Sequence, residues 1–328
     1  MSNKLLKLFA VTAACAAMAV PVMAQDSVRL GTSGSGSVFY TLGVGLSQLI
    51  TEYGDMNVSV ESVGGSHANV FAMMNDQVDF AIINAAAAAD GRLGNPPFPQ
   101  SVNLCLVAQG QPTLRQVLVR KGAGIQTIAD LAGKTWITTM PANPDIAMLS
   151  AAVAEVGGLS QGDWQDVSMA ESIEAINGFE GGTIDAVTLP ASAGAPNVAQ
   201  LMDAGTIDFL YLTPEDVAAI EPKLPRGVSV YTLPAETYPN QAQPAQVFGM
   251  RTILAANCDL PEDIVYRVTQ SLLDHVQEFA GYHPTGAEWN ADNTLDRPPV
   301  PFHPGTAKYL IEKGLWSAEA QAALEASF

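Results

Sequence analysis

Strand and helix periodicities alternate along this chain from residue 27 onward, and that alternation limits the architecture more than any other feature. SVRLGT (27–32) reads as a short strand, and VFYTLGVGLSQLITEYG (38–54) as a helix with apolar residues at helical spacing. MNVSVES (56–62) alternates with a period of two, HANVFAMMNDQ is helical, DFAIINA is a buried strand and AAAADGR a short helix. Parallel neighbours can be joined only by a crossover, so a βαβαβ order implies a parallel sheet covered by helices. Its functional loops then lie beyond the carboxyl ends of the strands.

After the Pro-rich GNPPFPQ come two β-rich runs, VNLCLVAQ and RQVLVRK, and then a second α/β series. Its members are TIADLAG (helix), KTWITTM (strand), PDIAMLSAAVAEVG (helix), DVSM (strand), ESIEAINGFEGG (helix), TIDAVTLP (strand) and APNVAQLMDAG (helix). A long β-like run, QVFGMRTILAANC, and two amphipathic helices, PEDIVYRVTQSLLDHVQEFA and GTAKYLIEKG, follow. Two α/β series with a late return predict two similar lobes. Lobe I takes residues 25–115 and 245–328, lobe II takes 116–244, and the Pro-rich stretch from Leu233 to Pro244 serves as the linker back. No repeat of fixed period is visible, although DQVDFAI and EGGTIDAVT each place an Asp directly before a buried strand.

The first 24 residues read as a secretory signal. Lys4 and Lys7 precede LFAVTAACAAMAV, too short to span a bilayer comfortably, and Val22-Met23-Ala24 approximates a small-residue cleavage site. Cys15 raises lipidation as an alternative, but Thr12 stands where a lipobox usually has Leu and no polar tether follows. The expectation is an exported, periplasmic chain with no membrane insertion after cleavage. The whole sequence carries 15 Lys and Arg against 33 Asp and Glu, a formal net charge of −18. Loss of two lysines takes it to about −20, a surface that repels nucleic acid and anionic lipid. Cys105 and Cys258 would remain, each in an apolar strand-like run, where a disulfide and a pair of buried thiols are both open.

Catalytic signatures are mostly missing. Gly133-Lys134-Thr135 has Ile128 where a phosphate loop needs glycine, and it follows a helix instead of a strand. In the opening loop, Gly34-x-Gly36 is followed by Phe39 where a dinucleotide fingerprint needs Gly or Ala. None of Ser33, Ser35 and Ser66 is flanked as in G-x-S-x-G. Four histidines, His67, His275, His283 and His303, form no zinc-type spacing, so no metal, cofactor or catalytic residue is assigned. His67, at a helix start, reads either as a ligand contact or as a solvated cap.

What the sequence does offer is small polar residues at strand ends: Gly31 to Gly36, Gly64-Gly65-Ser66, Asn84-Ala85, and in the second series Thr138 to Asn143 and Ser192. Such loops also serve simply as turns and N-caps. Several of them opening onto helix N-termini at one cleft would favour a carboxylate.

The stretches GTSGSGSVFYTLG and VESVGGSHANVFAMMNDQVDFAI resemble the TAXI-type extracytoplasmic solute receptors of TRAP transporters. GIQTIADLAGKTW, AGAPN, AETYPNQ, DLPEDIVYRVT and VPFHPGTAKYL extend the resemblance over nearly the whole chain in order. It implies a type II-like, two-lobed periplasmic binding protein, α/β in each lobe, that closes on a solute and delivers it to a TRAP membrane permease. The solutes it implies are glutamate, related amino acids and dicarboxylates. Carried over by position, Ser33, Gly34, Ser35 and Gly36 would contact the ligand, Tyr40 would wall the pocket, and Ser66 and Asn69 match the family's turn. Asn84 stands where Gln is frequent. Phe39 and Thr41 depart from the usual Tyr and Pro, and Pro141 to Asp145 replaces a glycine-bearing turn, gaining an acid. Asn143 and Ser192 would face these loops on closure, and Arg92, which follows the short helix after the third strand, is the expected cation for a second carboxylate. A secreted hydrolase or transferase using the same cleft, and a sensory receptor serving a signalling partner, are the alternatives.

Overall fold

The computed structural model describes residues 25–141, 143–170 and 172–327. The expected signal segment, residues 1–24, lies outside them. The first series consists of β1 (Asp26–Thr32), α1 (Val38–Tyr53), β2 (Met56–Ser62), α2 (Ser66–Met74), β3 (Phe80–Asn84) and α3 (Ala85–Leu93), and leads into the 17-residue β4 (Leu104–Arg120). The second series is β5 (Thr135–Thr139), α4 (Asp145–Val156), β6 (Gln165–Ser168), α5 (Ser172–Glu180), β7 (Ala186–Pro190), α6 (Pro196–Asp203), β8 (Ile207–Phe209), α7 (Pro214–Ile220) and β9 (Val228–Leu233). The chain returns through β10 (Ala245–Asn257) to α8 (Glu262–Leu273), α9 (Val276–Phe279), α10 (Ala291–Leu295), α11 (Pro304–Glu312) and α12 (Ala318–Glu325).

The strands form one sheet in the order β2-β1-β3-β10-β4-β7-β5-β6, with β8 beside β4 and β9 beside β10. β1, β2 and β3 are mutually parallel at one end, as are β5, β6 and β7 at the other. β4 and β10 join the two ends. The first part of β4 pairs with the last part of β10, the rest of β4 pairs with β7 and β8, and the start of β10 pairs with β9. This is an α/β, two-lobed architecture in which two antiparallel strands cross between the halves.

Two β-rich runs expected on either side of Pro112 are therefore one strand. Proline has no N–H for the ladder, and the register shifts beside its partner Arg251 accommodate it. The Leu233–Pro244 stretch is likewise not the return path. It is the connection between antiparallel β9 and β10, and β10 itself carries the chain back. TIADLAG forms only a four-residue 3-10 turn, Ile128–Leu131, closed by a reciprocal Thr127–Asp130 capping box. The long helix expected from Pro261 breaks after Leu273, so His275 stands at the N-cap position of α9, with no side-chain cap, instead of sitting mid-helix.

Local chemistry explains why α1 stops and starts where it does. Ser37 accepts the Tyr40 N–H at its start, Leu42, Leu46, Leu49 and Ile50 give it one buried face, and the Gly54 N–H closes the last turn on Ile50. That face meets Val265, Val268 and Leu272 of α8 in a shared core. Each such side chain contributes about 1.5–3 kcal/mol by leaving water. A separate core at the other end gathers Ile137, Ile146, Phe179, Val187, Leu201 and Phe209. The recurring pre-strand aspartates have one job in both halves. Asp79 accepts the Arg29 N–H of the adjacent strand, and Asp185 accepts the Thr135 N–H. An arginine holds each carboxylate in place: Arg29 pairs with Asp79 and Arg120 with Asp185.

Cys105 on β4 and Cys258 just past β10 form a disulfide, Cα to Cα 5.2 Å, closing a sequence separation of 153 residues. It fastens β4 to the end of β10 in the half built on β1–β3. No helix among the described residues is long and apolar enough to cross a membrane.

Candidate functional site

Parallel strands send their carboxyl ends to one edge. The loops after β1, β2 and β3 thus gather on one side of a cavity of about 420 Å³, and the loop after β5 forms the other side. From the first half come Ser33, Phe39, Gly65, Ser66, His67 and Asn84; from the second, Pro141, Asn143, Pro144 and Asp145. Thr113 and Arg115, on one face of β4, form its floor.

The wall contributed by α2 presents an open helix end. Its N-cap is Gly65, which makes no side-chain cap, and Gly65, Ser66, His67 and Ala68 all line the cavity. First-turn N–H groups and the helix dipole there favour an anion. The Ser66 hydroxyl accepts the Asn84 backbone N–H at 3.0 Å, while Asn84 Oδ1 caps α3 through the Ala87 N–H at 2.7 Å. One bond thereby locks two strand-end loops together. The His67 ring lies against Phe98, centroids 5.7 Å apart.

The floor carries the site's charge. Arg115 is buried, with Nε 2.7 Å from Asp145 Oδ2 and Nη2 3.3 Å from both Asp145 Oδ1 and Asn143 Oδ1. Its Nη1 donates to the Leu114 carbonyl. A guanidinium at this depth needs such a partner. Asp145 is also in the first turn of α4, where a carboxylate suits the dipole. A smaller chamber of about 90 Å³ adjoins, sharing His67, Asn84, Pro144 and Asp145 and walled mainly by apolar groups such as Met148, Val228 and Met250. The combined space has a charged floor, an anion-favouring wall and an apolar recess.

Of the residues expected from sequence, Ser33, Ser66, Asn84 and Asn143 line this cavity. Gly34, Ser35 and Gly36 form an exposed turn beyond its lining, and Phe39 lines it where Tyr40 was expected. Asn69 is fully buried beneath the loops, its Nδ2 reaching the carbonyls of Thr32, Gly64 and Gly65, each at 3.1 Å. Its place is that of a brace for the β1 and β2 ends. Ser192 is exposed, and its carbonyl accepts from Gln116 and Tyr238. Arg92 is not brought to the cavity: it occupies the last turn of α3, with Nη1 3.0 Å from Asn103 Oδ1. Arg115 was missed, and Asp145 was noted only as the acid gained by its turn. An arginine inside an apolar β run was the available signal, since such a charge must find a buried partner. Among the described residues no group of three or more His, Cys, Asp or Glu is placed to hold a metal ion.

The chain belongs to the NMT1-like family, whose model matches residues 30–314. Solved structures share the fold at low identity. PhnD1 from Prochlorococcus marinus, in complex with methylphosphonate, is 10% identical, with a TM-score of 0.55 over 89% of this chain and 99% of that one. A TctC solute-binding protein from Polaromonas is 14% identical, with a TM-score of 0.54 over 78% of this chain and 87% of that one. The periplasmic sulfonate-binding protein SsuA from Methylobacillus flagellatus is 13% identical, with a TM-score of 0.50 over 89% and 88%.

Proposed function

We propose that the chain is a non-enzymatic, periplasmic receptor that captures a small acidic solute by lobe closure and delivers it to the permease of a TRAP-type transporter, as the TAXI resemblance implies. Lobe I is taken as residues 25–115 with 245–328, and lobe II as 116–244. The observation that carries the reading is the cleft itself, with the open α2 N-terminus on one wall and the Arg115–Asp145 pair on the floor.

The pair bears on the solute. Arg115 already holds one carboxylate, so the cleft is close to electroneutral and its two charges are of opposite sign. A glutamate-like amino acid matches this better than a dicarboxylate. Its ammonium would take Asp145, which would free for one solute carboxylate the Arg115 N–H groups now spent on that residue, and the other carboxylate would take the α2 N-terminus. Binding energy spent across both walls shifts an open–closed equilibrium toward closed.

Thermal unfolding against a panel tests the reading, after unfolding and refolding with the disulfide intact to strip carried-over solute. The panel holds glutamate, glutamine, 2-oxoglutarate, C4 dicarboxylates, neutral amino acids, methylphosphonate and alkanesulfonates. A ligand at 100 times its dissociation constant adds about 2.7 kcal/mol. A raised midpoint with glutamate or a close acid supports the proposal. A shift confined to phosphonates or sulfonates, or to neutral solutes, refutes the solute class.

A further inference from the structure

The crossing strands have a second face. Side chains alternate along a strand, so Met250 and Val228 look toward the cleft side while Arg251, Ser229 and Tyr231 look away from it. On that reverse face is a separate cavity of about 260 Å³, built from Arg251 of β10, Ser229 and Tyr231 of β9, and the segment from Asp296 to Pro299. It shares no lining residue with the cleft.

Its charge is out of keeping with the rest of the molecule. The chain has 15 Lys and Arg against 33 Asp and Glu, yet Arg226, Arg251 and Arg297 line this one cavity, with Asp296 as the acid among its lining residues. Arg251 and Arg297 converge on that single carboxylate, Nη2 of Arg251 at 2.9 Å and Nε of Arg297 at 3.1 Å. Both guanidinium carbons also lie against the Tyr231 ring, 6.0 and 5.9 Å from its centre. Two cations brought this close to each other repel; Asp296 touches both, and the charges of Glu288 and Glu221 act on them from further away.

The Arg251 guanidinium is nearly buried, its Nη1 donates to the Gly110 carbonyl, and its Nε–H is buried without a hydrogen-bond partner among the described residues. Arg297 adopts a φ of 48°, a left-handed conformation that costs a non-glycine residue energy. Burial pushes the nearby Glu288 carboxyl up from its usual range, while the charge of Arg251 pulls it back down. Ser229 and Tyr231, each with a hydroxyl, line the same space.

We infer that this cavity binds a small tetrahedral oxyanion, of the phosphate or sulfate class, between the Arg251 and Arg297 guanidinia. Guanidinium forks match such oxygens two at a time, and a doubly charged ion between the two cations offsets their mutual repulsion. The space suits an inorganic ion or a short-chain ester of one and is smaller than the cleft. The inference stands whether or not the cleft takes an acidic solute.

The test is calorimetric titration of the ligand-stripped protein with inorganic phosphate and with sulfate at constant ionic strength, using chloride as the control. Wild type, Arg297→Ala and Arg115→Ala are compared. Arg297 is the informative position because its side chain is 54% exposed and its removal leaves the Arg251–Asp296 pair to hold the fold. The expected result is saturable binding of either oxyanion to wild type, weakened at least tenfold in Arg297→Ala and unchanged in Arg115→Ala. Three outcomes overturn it: no saturable binding up to about 10 mM, beyond the millimolar range of weak sites; equal affinity in Arg297→Ala; or loss in Arg115→Ala alone, which assigns the ion to the cleft.

Discussion

Arg115 and Asp145 meet at 2.7 Å on the floor of the cleft, with side-chain exposures of 6% and 15%. One residue is on a crossing strand and the other opens a helix of the second half, so the pair ties the floor to one wall. Its two charges set what a solute must offer.

Asp145→Asn separates the two solute classes. It keeps the shape and the Arg115 fork while removing the negative charge. Affinity for glutamate is expected to fall at least tenfold, about 1.4 kcal/mol, relative to affinity for 2-oxoglutarate, which has no ammonium. Competition of the two acids on wild type and variant measures the ratio; an unchanged ratio removes Asp145 from ammonium recognition.

Arg92→Ala is expected to leave solute affinity within about twofold, roughly 0.4 kcal/mol. The guanidinium is engaged with Asn103 at the carboxyl end of α3, whereas the cavity touches Asn84 at its start. A tenfold loss in calorimetry would return Arg92 to the site.

How much of this was legible follows from where each signal resides. The helix–strand alternation and the small polar residues at strand ends are local patterns, and they led to Ser33, Ser66, Asn84 and Asn143. Arg92 looked close to the cleft because it is close in sequence to β3. A helix advances 1.5 Å per residue, so eight residues carry it about 12 Å away from Asn84. Arg115 and Asp145 lie 30 positions apart and meet only because β4 crosses between the halves. The same crossing was hidden by Pro112, which reads locally as a break. Asn69 matched a ligand-binding turn by type, but burial assigns it to bracing the loops.

The Cys105–Cys258 bridge fastens the two crossing strands over a separation of 153 residues. Replacing both cysteines with alanine is expected to cost about 2–5 kcal/mol, or roughly 4–15 °C in the unfolding midpoint. Calorimetric scans of the two forms decide it. A midpoint within about 1 °C would mean that the ladder alone sets the stability of this half.

His303 predicts a pH dependence. It is buried at 1% exposure, its Nδ1 accepts the Gly305 N–H at the start of α11, and burial holds its pKa below the usual value of 6.5. Above that value the imidazole is neutral in both folded and unfolded chains. As pH falls below about 6.5 the unfolded chain takes up the proton first, and stability is lost until the lower folded pKa is passed. Denaturant midpoints from pH 7.5 to pH 5 should fall in wild type and fall less in His303→Asn, which can still cap the helix. Parallel curves would assign the loss to other groups.

The most direct measurement is calorimetric titration of L-glutamate into refolded wild type and into Arg115→Ala, with thermal scans to establish that the variant is folded. The account predicts one-site binding to wild type, weakened at least tenfold, about 1.4 kcal/mol, when the guanidinium is removed. Equal affinity in a folded variant, or no heat with glutamate or any related acid on wild type, would contradict it.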